Sequence, residues 1–80
     1  MATLRLFAAA RESAGTASAQ VDGATVGEVL AAAVARYGEG FQTVLASCRV
    51  WVNGDPADPH TAVGSKDEVA VLPPVSGGST

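Results

Sequence analysis

Two glycines near the C-terminus, Gly77 and Gly78 in the sequence PPVSGGST, are the residues whose type and spacing best fit a chemical role. Neither has a Cβ atom, so their backbone can pass closely along another protein's main chain. A carboxylate on such a glycine is a poor electrophile. A partner that converted it to an acyl-adenylate would open its carbonyl to a sulfur or amine nucleophile. The alternative is a disordered terminus without chemistry.

The residues before this pair determine how it would be presented. The run Glu68–Leu72 is strand-like, and Pro73-Pro74 cannot donate the hydrogen bonds that would continue it, so we predict that the sheet stops there. The prolines also favour an extended course away from the body of the protein. The sequence therefore predicts a folded domain over residues 1–74 and a flexible tail over residues 75–80.

Size and charge limit what the chain can do alone. Its 80 residues form one domain that buries roughly 60–65% of its unfolded surface, enough for one sheet and a helix but hardly for a deep catalytic cleft. We therefore expect a carrier, subunit or binding module without activity of its own. The net charge is −3 and the five basic residues are scattered, a pattern that argues against nucleic-acid binding.

Cysteine and histidine usage argues against a disulfide and a metal site. Cys48 is the only cysteine, which fits a reducing, cytoplasmic setting, and together with His60 it supplies too few zinc ligands. The N-terminus lacks the pattern of a signal peptide, and no run approaches the ~20 apolar residues that span a bilayer. We expect no bound cofactor, no metal and no membrane contact.

Three stretches have strong structural patterns. Residues 3–7 alternate polar and apolar side chains until Phe7, which predicts a half-buried strand. Thr25 and Glu28 have the spacing of a capping box and precede an apolar helical face, with Gly38 as the expected left-handed cap. Residues 49–52 are strand-like and lead into a tight Asn-Gly hairpin turn.

Other stretches are weaker. Residues 16–21 are a strand candidate, and a short edge strand is expected near residues 56–58, where two prolines interrupt the ladder. Residues 8–15 are interpreted as a connection with a possible helical turn. Residues 41–47 are ambiguous.

The order strand, strand, helix, strand, short strand, strand predicts an α+β fold of the β-grasp, or ubiquitin-like, type. It has a mixed sheet of four to five strands and one main helix packed across one face. The first and last strands would lie side by side at the centre. Residues of one parity would then face the helix, namely Leu4, Leu6, Val69 and Val71. Phe7 and Leu72 have the opposite parity and would form a docking patch on the open side; scattered surface hydrophobes are the alternative.

Three segments, FAAARESAG, RVWVNG and DEVAVLPPVSGG, resemble the MoaD/ThiS sulfur-carrier family, and in particular its molybdopterin synthase small subunits. The resemblance covers nearly the whole chain, and PPVSGG is its most specific motif. It implies that an adenylating enzyme of the ubiquitin-activating type uses ATP and Mg to activate Gly78. Sulfur is then installed there as a thiocarboxylate.

The resemblance also implies partners and contact residues. The tail, with Pro73, Pro74, Val75 and Ser76 ahead of the glycines, would enter the large synthase subunit in a heterotetramer and supply sulfur to cyclic pyranopterin monophosphate. Phe7 and Leu72 fall where the family has apolar partner contacts. Arg11 lies in the family-like AARESAG segment and is a further candidate contact, although an ion pair with Glu12 would explain it equally well.

The chain departs from the family pattern at its end, where Ser79 and Thr80 follow Gly78. No thiocarboxylate can form on Gly78 while its carbonyl is in a peptide bond. Either a protease trims two native residues, or cloning added them, or this copy has lost the carrier role. Related functions also remain open: a sulfur carrier for cysteine or thiamine synthesis, a protein modifier joined to lysines, or an inert interaction module.

Four further residues have simpler interpretations. Cys48 is expected as a small buried hydrophobe rather than a sulfur relay, and His60 as a solvated loop residue. Trp51 belongs to the core or the sheet surface. Lys66 is a solvated turn charge, with contact to an acidic partner as the alternative.

Overall fold

A computed structural model describes residues 1–73 of the chain. The elements in chain order are β1 (Ala2–Leu6), α1 (Ala8–Ala14), β2 (Ser18–Val21), α2 (Val26–Tyr37), α3 (Glu39–Leu45), β3 (Arg49–Val52), β4 (Asp55–Pro56) and β5 (Glu68–Leu72). The strands form one mixed sheet in the order β2-β1-β5-β3-β4. Strands β1 and β5 are parallel at its centre, and every other pair is antiparallel. The predicted β-grasp is confirmed, with a short edge strand at β4.

Helix α2 begins at the predicted cap. The Glu28 N–H donates to the Thr25 hydroxyl at 3.2 Å, and the Glu28 carboxylate accepts from the Ala24 N–H at 2.8 Å. The box thus closes one residue earlier than the usual pattern, in which the carboxylate returns to the cap residue itself. Gly38 ends the helix with φ 94° and ψ −169°, so the prediction of a left-handed cap was wrong: φ is positive but ψ is extended. The extended ψ redirects the chain at once into α3.

The core lies between the helices and one face of the sheet. Leu4, Leu6, Val69 and Val71 are all completely or almost completely buried, which confirms the parity prediction. The helices contribute further buried side chains, among them Val26, Val29, Ala33 and Phe41. No buried polar or charged residue is found in the part of the chain that the structure describes.

Two segments that the sequence left as a connection or as ambiguous are seven-residue helices. Helix α1 buries Ala10 and ends at Gly15, whose φ of 78° and ψ of 12° make it a left-handed cap. Helix α3 buries Phe41, whose ring lies 5.3 Å from that of Tyr37 between centroids. Seven residues are too few for a helical period to be recognised in sequence, since the pattern needs a window of about 11.

The hairpin end of the sheet is held by a side-chain network. Asn53 and Gly54 have φ of 52° and 88°, as the predicted tight turn requires. Asn53 donates to the Asp67 carboxylate at 2.8 Å and accepts from the Glu68 N–H at 2.9 Å. The second Asp67 oxygen accepts from the Gly64 N–H at 2.8 Å. These bonds join the hairpin to the turn before β5.

In residues 1–73, no helix is long and apolar enough to cross a membrane.

Candidate docking surface at the exit of β5

The chain leaves the sheet next to two strands. Leu72 is the last residue of β5 and pairs with Arg49 at the start of β3. On the other side, the Phe7 N–H donates to the Val71 carbonyl at 3.2 Å, which carries the pairing of β1 and β5 one residue further. Pro73 follows directly. The predicted site residues beyond it, Pro74, Val75, Ser76, Gly77 and Gly78, lie outside the described residues, as does the proposed boundary of the tail.

Phe7 is exposed because of the backbone on either side of it. It continues the open-side parity of β1 and caps α1 with an extended conformation, φ −129° and ψ 150°. Ala8 then turns the chain with φ 53°, a value that residues with a Cβ atom rarely adopt. The Phe7 side chain is 38% exposed. Among the described residues, Met1 is the only other large hydrophobic residue that is exposed.

Leu72 lies on the same side of the sheet as Phe7. The pairing of Leu6 with Val71 brings the next two residues, Phe7 and Leu72, level with each other. Leu72 is half-buried. The structure therefore brings the two apolar residues of the predicted patch together beside the point where the tail begins, and their role as partner contacts stays a prediction.

Charged side chains flank this patch. The Arg5 guanidinium carbon lies 5.9 Å from the centre of the Phe7 ring, and its Nη1 atom is 3.1 Å from the Glu68 carboxylate. The pair is about half exposed, so we expect it to contribute at most about 1 kcal/mol. It is the one ion pair found within residues 1–73. The alternative explanation of Arg11, an ion pair with Glu12, is therefore wrong; Arg11 is exposed on α1.

A notch lies beside the patch at the outer edge of β3. It has a volume of about 320 Å³ and is lined by Cys48, Arg49, Val50, Trp51, Pro56 and Ala57. Trp51 is half-buried and pairs with Ala70 of β5, which places it on the open face in the same row as Arg5. No pattern in the sequence predicted the notch. The alternation of Arg49 and Trp51 could have indicated a shared face, but not the gap beside it.

Cys48 and His60 show no arrangement suited to catalysis. Cys48 is half-buried at the notch, and burial raises the pKa of its thiol, which lowers its thiolate fraction at neutral pH. His60 is exposed, and its main-chain N–H donates to the Asp58 carboxylate at 2.8 Å. Within residues 1–73 no three His, Cys, Asp or Glu residues are grouped to hold a metal ion.

The sequence matches the ThiS family over residues 4–78, almost the whole chain and with its last matched residue at Gly78. The chain belongs to the ThiS family. Membership agrees with the ubiquitin-like fold and with the resemblance found in its motifs.

Solved structures of several relatives resemble this ThiS-family chain. SAMP1 of Haloferax volcanii is 33% identical, with 95% of this chain and 97% of that chain covered and a TM-score of 0.82. A Pyrococcus furiosus protein described as molybdopterin converting factor subunit 1 is 25% identical (92% and 97% covered, TM-score 0.82). A chain in the Helicobacter pylori complex of molybdopterin-converting factor subunits 1 and 2 is 23% identical (96% and 97% covered, TM-score 0.69), which shows a shared fold.

Proposed function

We propose that this chain is the sulfur-carrier subunit of a molybdopterin synthase and carries its sulfur as a thiocarboxylate on Gly78. The observation that carries the carrier role is the family match, which runs to Gly78 and stops before Ser79 and Thr80. The choice of pathway is supported by the PPVSGG motif and by the 25% identity to the Pyrococcus furiosus molybdopterin converting factor subunit 1. The exit of β5 beside Phe7 and Leu72 supports it, because the tail would leave the domain next to an apolar docking surface.

The chemistry would proceed in two steps on the terminal carboxylate, once Ser79 and Thr80 are removed. An adenylating enzyme of the ubiquitin-activating type would join the Gly78 carboxylate to the α-phosphate of ATP·Mg and release pyrophosphate. A persulfide on a sulfur donor would then attack the carbonyl carbon and expel AMP, and a thiol would reduce the resulting acyl disulfide, leaving the thiocarboxylate on Gly78 and a disulfide on the donor. Gly77 and Gly78 contribute by leaving the carbonyl unhindered.

The large synthase subunit would supply the active site for the transfer to cyclic pyranopterin monophosphate. The chain would contribute its tail, Pro73 to Ser76 and the two glycines, while Phe7, Leu72 and Arg11 hold the domain against the partner. The Helicobacter pylori chain of similar fold was solved as a complex of subunits 1 and 2, which supports a partner of this kind. We propose a heterotetramer of two small and two large chains in the cytoplasm, without activity in the small chain alone.

A second candidate is a protein modifier, in which Gly78 is joined to lysines of other proteins. The 33% identity to SAMP1 of Haloferax volcanii, a small archaeal modifier protein, favours it. Both candidates need a free Gly78 and the same activation, so they differ in the product. Sulfur carriers for cysteine or thiamine synthesis share the thiocarboxylate and differ in the acceptor. An inert interaction module needs no free Gly78.

The test is an intact mass of the chain isolated from its own host. A chain that ends at Gly78 with one oxygen replaced by sulfur supports the carrier, and transfer to cyclic pyranopterin monophosphate with the large subunit identifies the pathway. A ladder of larger conjugates that contain the chain supports the modifier. A population that keeps Ser79 and Thr80, even with the activating enzyme and ATP supplied, contradicts both.

A further inference from the structure

Three side chains form a connected row along the open face of the sheet. Arg5 in β1 and Phe7 directly after that strand have the same parity, so they lie on the same side. Glu68 of β5 pairs in register with Thr3, which places it on that side as well. Arg5 therefore lies between an exposed aromatic ring and a carboxylate.

The Arg5 guanidinium contacts both neighbours at once. Its carbon lies 5.9 Å from the centre of the Phe7 ring, and its Nη1 atom donates to the Glu68 carboxylate at 3.1 Å. The residue paired with Arg5 on β5 is Ala70, whose small side chain leaves room for the guanidinium to reach toward Glu68. Arginine suits this position, because its planar group can stack on a ring while its N–H groups bind a carboxylate.

The Phe7 ring has few other groups to fix its orientation. It is exposed, and the one aromatic pair found within residues 1–73 joins Tyr37 and Phe41, so no second ring packs on it. An exposed ring that is free to change rotamer must be fixed in one of them when a partner binds, and the lost freedom weakens the affinity. A contact that fixes the ring beforehand removes part of this cost.

The ion pair has little to add to the fold itself. Both side chains are about half exposed, so water and salt screen their attraction. Strands β1 and β5 are already joined by main-chain pairing from Thr3 to Leu6. The larger effect of the pair is therefore expected on the ring that Arg5 contacts.

We propose that Arg5, anchored by Glu68, is a positioning residue that holds the Phe7 ring in the orientation in which it docks against the large subunit. This inference rests on the proposed function, because it takes the large subunit as the protein that covers Phe7 and Leu72. It gives two charged residues a role in binding that requires no contact of their own with the partner.

NMR of the free 80-residue chain tests the orientation without a partner. The couplings across the Cα–Cβ bond of Phe7 should show one rotamer that exceeds the others about three- to fivefold, as an exposed contact of this kind supplies. Glu68→Gln and Arg5→Gln should each reduce that excess. Glu39→Gln makes the same neutralisation at an exposed residue that begins α3, on the helix side of the sheet, and should leave the couplings unchanged.

Calorimetry with the large subunit tests the effect on docking. Glu68→Gln should weaken binding about threefold and Arg5→Gln about fivefold, whereas Glu39→Gln should change it less than about 1.5-fold. In a chain that already carries Phe7→Ala, Glu68→Gln should have no further effect, because the ring through which it acts is gone. If Arg5 instead bound a carboxylate of the partner directly, Glu68→Gln would free Arg5 and strengthen binding.

A charge swap separates the ion pair from the contact with the ring. Arg5→Glu combined with Glu68→Arg keeps opposite charges at the two positions, but residue 68 is level with Thr3, four residues before Phe7. The guanidinium then lies too far along the sheet to stack on the ring. We expect the urea midpoint of wild type and binding that stays at least about fivefold weaker. Recovery of binding would show that the pair acts only through the fold, which refutes the positioning role.

The remaining outcomes separate this inference from the proposed function. If the large subunit binds and accepts sulfur with equal affinity for wild type, Glu68→Gln and Arg5→Gln, the positioning role is refuted and the carrier function stands. Equal Phe7 couplings in these three chains would refute it as well. If the large subunit binds neither the 80-residue chain nor one that ends at Gly78, the docking role falls together with the proposed function.

Discussion

The two ends of strand β5 are built in opposite ways. At its start, the Asn53 side chain, the Asp67 carboxylate and the N–H groups of Gly64 and Glu68 bind one another at 2.8–2.9 Å. At its end, Leu72 lies beside an exposed Phe7 and pairs with Arg49, whose exposed side chain forms no ion pair within residues 1–73. The start of β5, the closed end, satisfies its polar groups internally. The end of β5, the open end, leaves apolar and polar groups available.

This difference separates stability from binding within one strand. The closed end fixes the hairpin to the turn before β5 and offers little that a partner could use. The open end keeps apolar surface in water, which gains nothing for the folded chain alone, and becomes favourable only when a partner covers it. Substitutions at the open end should therefore change binding, and substitutions at the closed end should change unfolding.

The largest contrast is expected at the glycines. In a chain that ends at residue 78, Gly78→Ala should lower the rate of thiocarboxylate formation by about 100-fold, because the added methyl group displaces the carbonyl carbon in a narrow site. The matched control is Gly64→Ala at the closed end, where a Cβ would meet only the Asp67 carboxylate at 3.9 Å. Mass spectrometry of both variants, incubated with the activating enzyme, sulfur donor and ATP, measures the rates. Equal rates would contradict a carrier role for Gly78.

Neighbouring residues of β1 provide the second contrast. Leu6 is 1% exposed and Phe7 is 38% exposed. Leu6→Ala should lower the free energy of unfolding by about 3 kcal/mol, whereas Phe7→Ala should lower it by less than about 1 kcal/mol and weaken the large subunit's binding at least about tenfold. Urea unfolding and titration calorimetry measure the two quantities. A large loss of stability in Phe7→Ala would assign that residue to the core.

The third test removes the centre of the closed end. Asn53→Ala loses both side-chain hydrogen bonds. It also places alanine at φ 52°, a backbone conformation that asparagine tolerates better than alanine does. We expect a loss of about 1–2 kcal/mol in the free energy of unfolding and no change in the affinity for the large subunit. Asn53→Gly keeps the backbone freedom, so the difference between the two variants isolates the strain.

Much of this organisation could be predicted from the sequence. Local rules, which need no knowledge of the rest of the chain, predicted three of its features. These are the helix cap at Thr25 and Glu28, the turn at Asn53 and Gly54, and the buried face of β1 with Leu4 and Leu6. The placement of Phe7 beside Leu72 followed from the same parity, once the central pairing of β1 and β5 was assumed.

The remainder depends on contacts between distant parts of the chain. Helices α1 and α3 are stabilised by the burial of Ala10 and Phe41 against the core, which a seven-residue window cannot reveal. Gly38 takes an extended ψ because α3 must start immediately after it. The notch exists because β4 stops at Pro56 while β3 begins at Arg49, and no local pattern compares the lengths of two strands.

The smallest expected effect is the pH dependence of the closed end. The Asn53 amide and the Gly64 N–H both donate to Asp67 and hold the pKa of its carboxyl below the ordinary value. A carboxyl whose pKa is lowered by folding stabilises the folded state above its unfolded pKa, and the stabilisation is lost as pH falls through the folded pKa. It should therefore be complete above about pH 5 and decline below it.

Asp67→Asn removes this titration and keeps an oxygen that can accept from Gly64. Urea midpoints measured from pH 7 downward should fall less steeply for Asp67→Asn than for the wild-type chain, because the other carboxyls titrate in both. Phe7→Ala, at the open end, should reproduce the wild-type slope. Parallel curves for wild type and Asp67→Asn would show that the closed end does not stabilise the fold through this carboxylate, and that the separation of stability from binding rests on Asn53 alone.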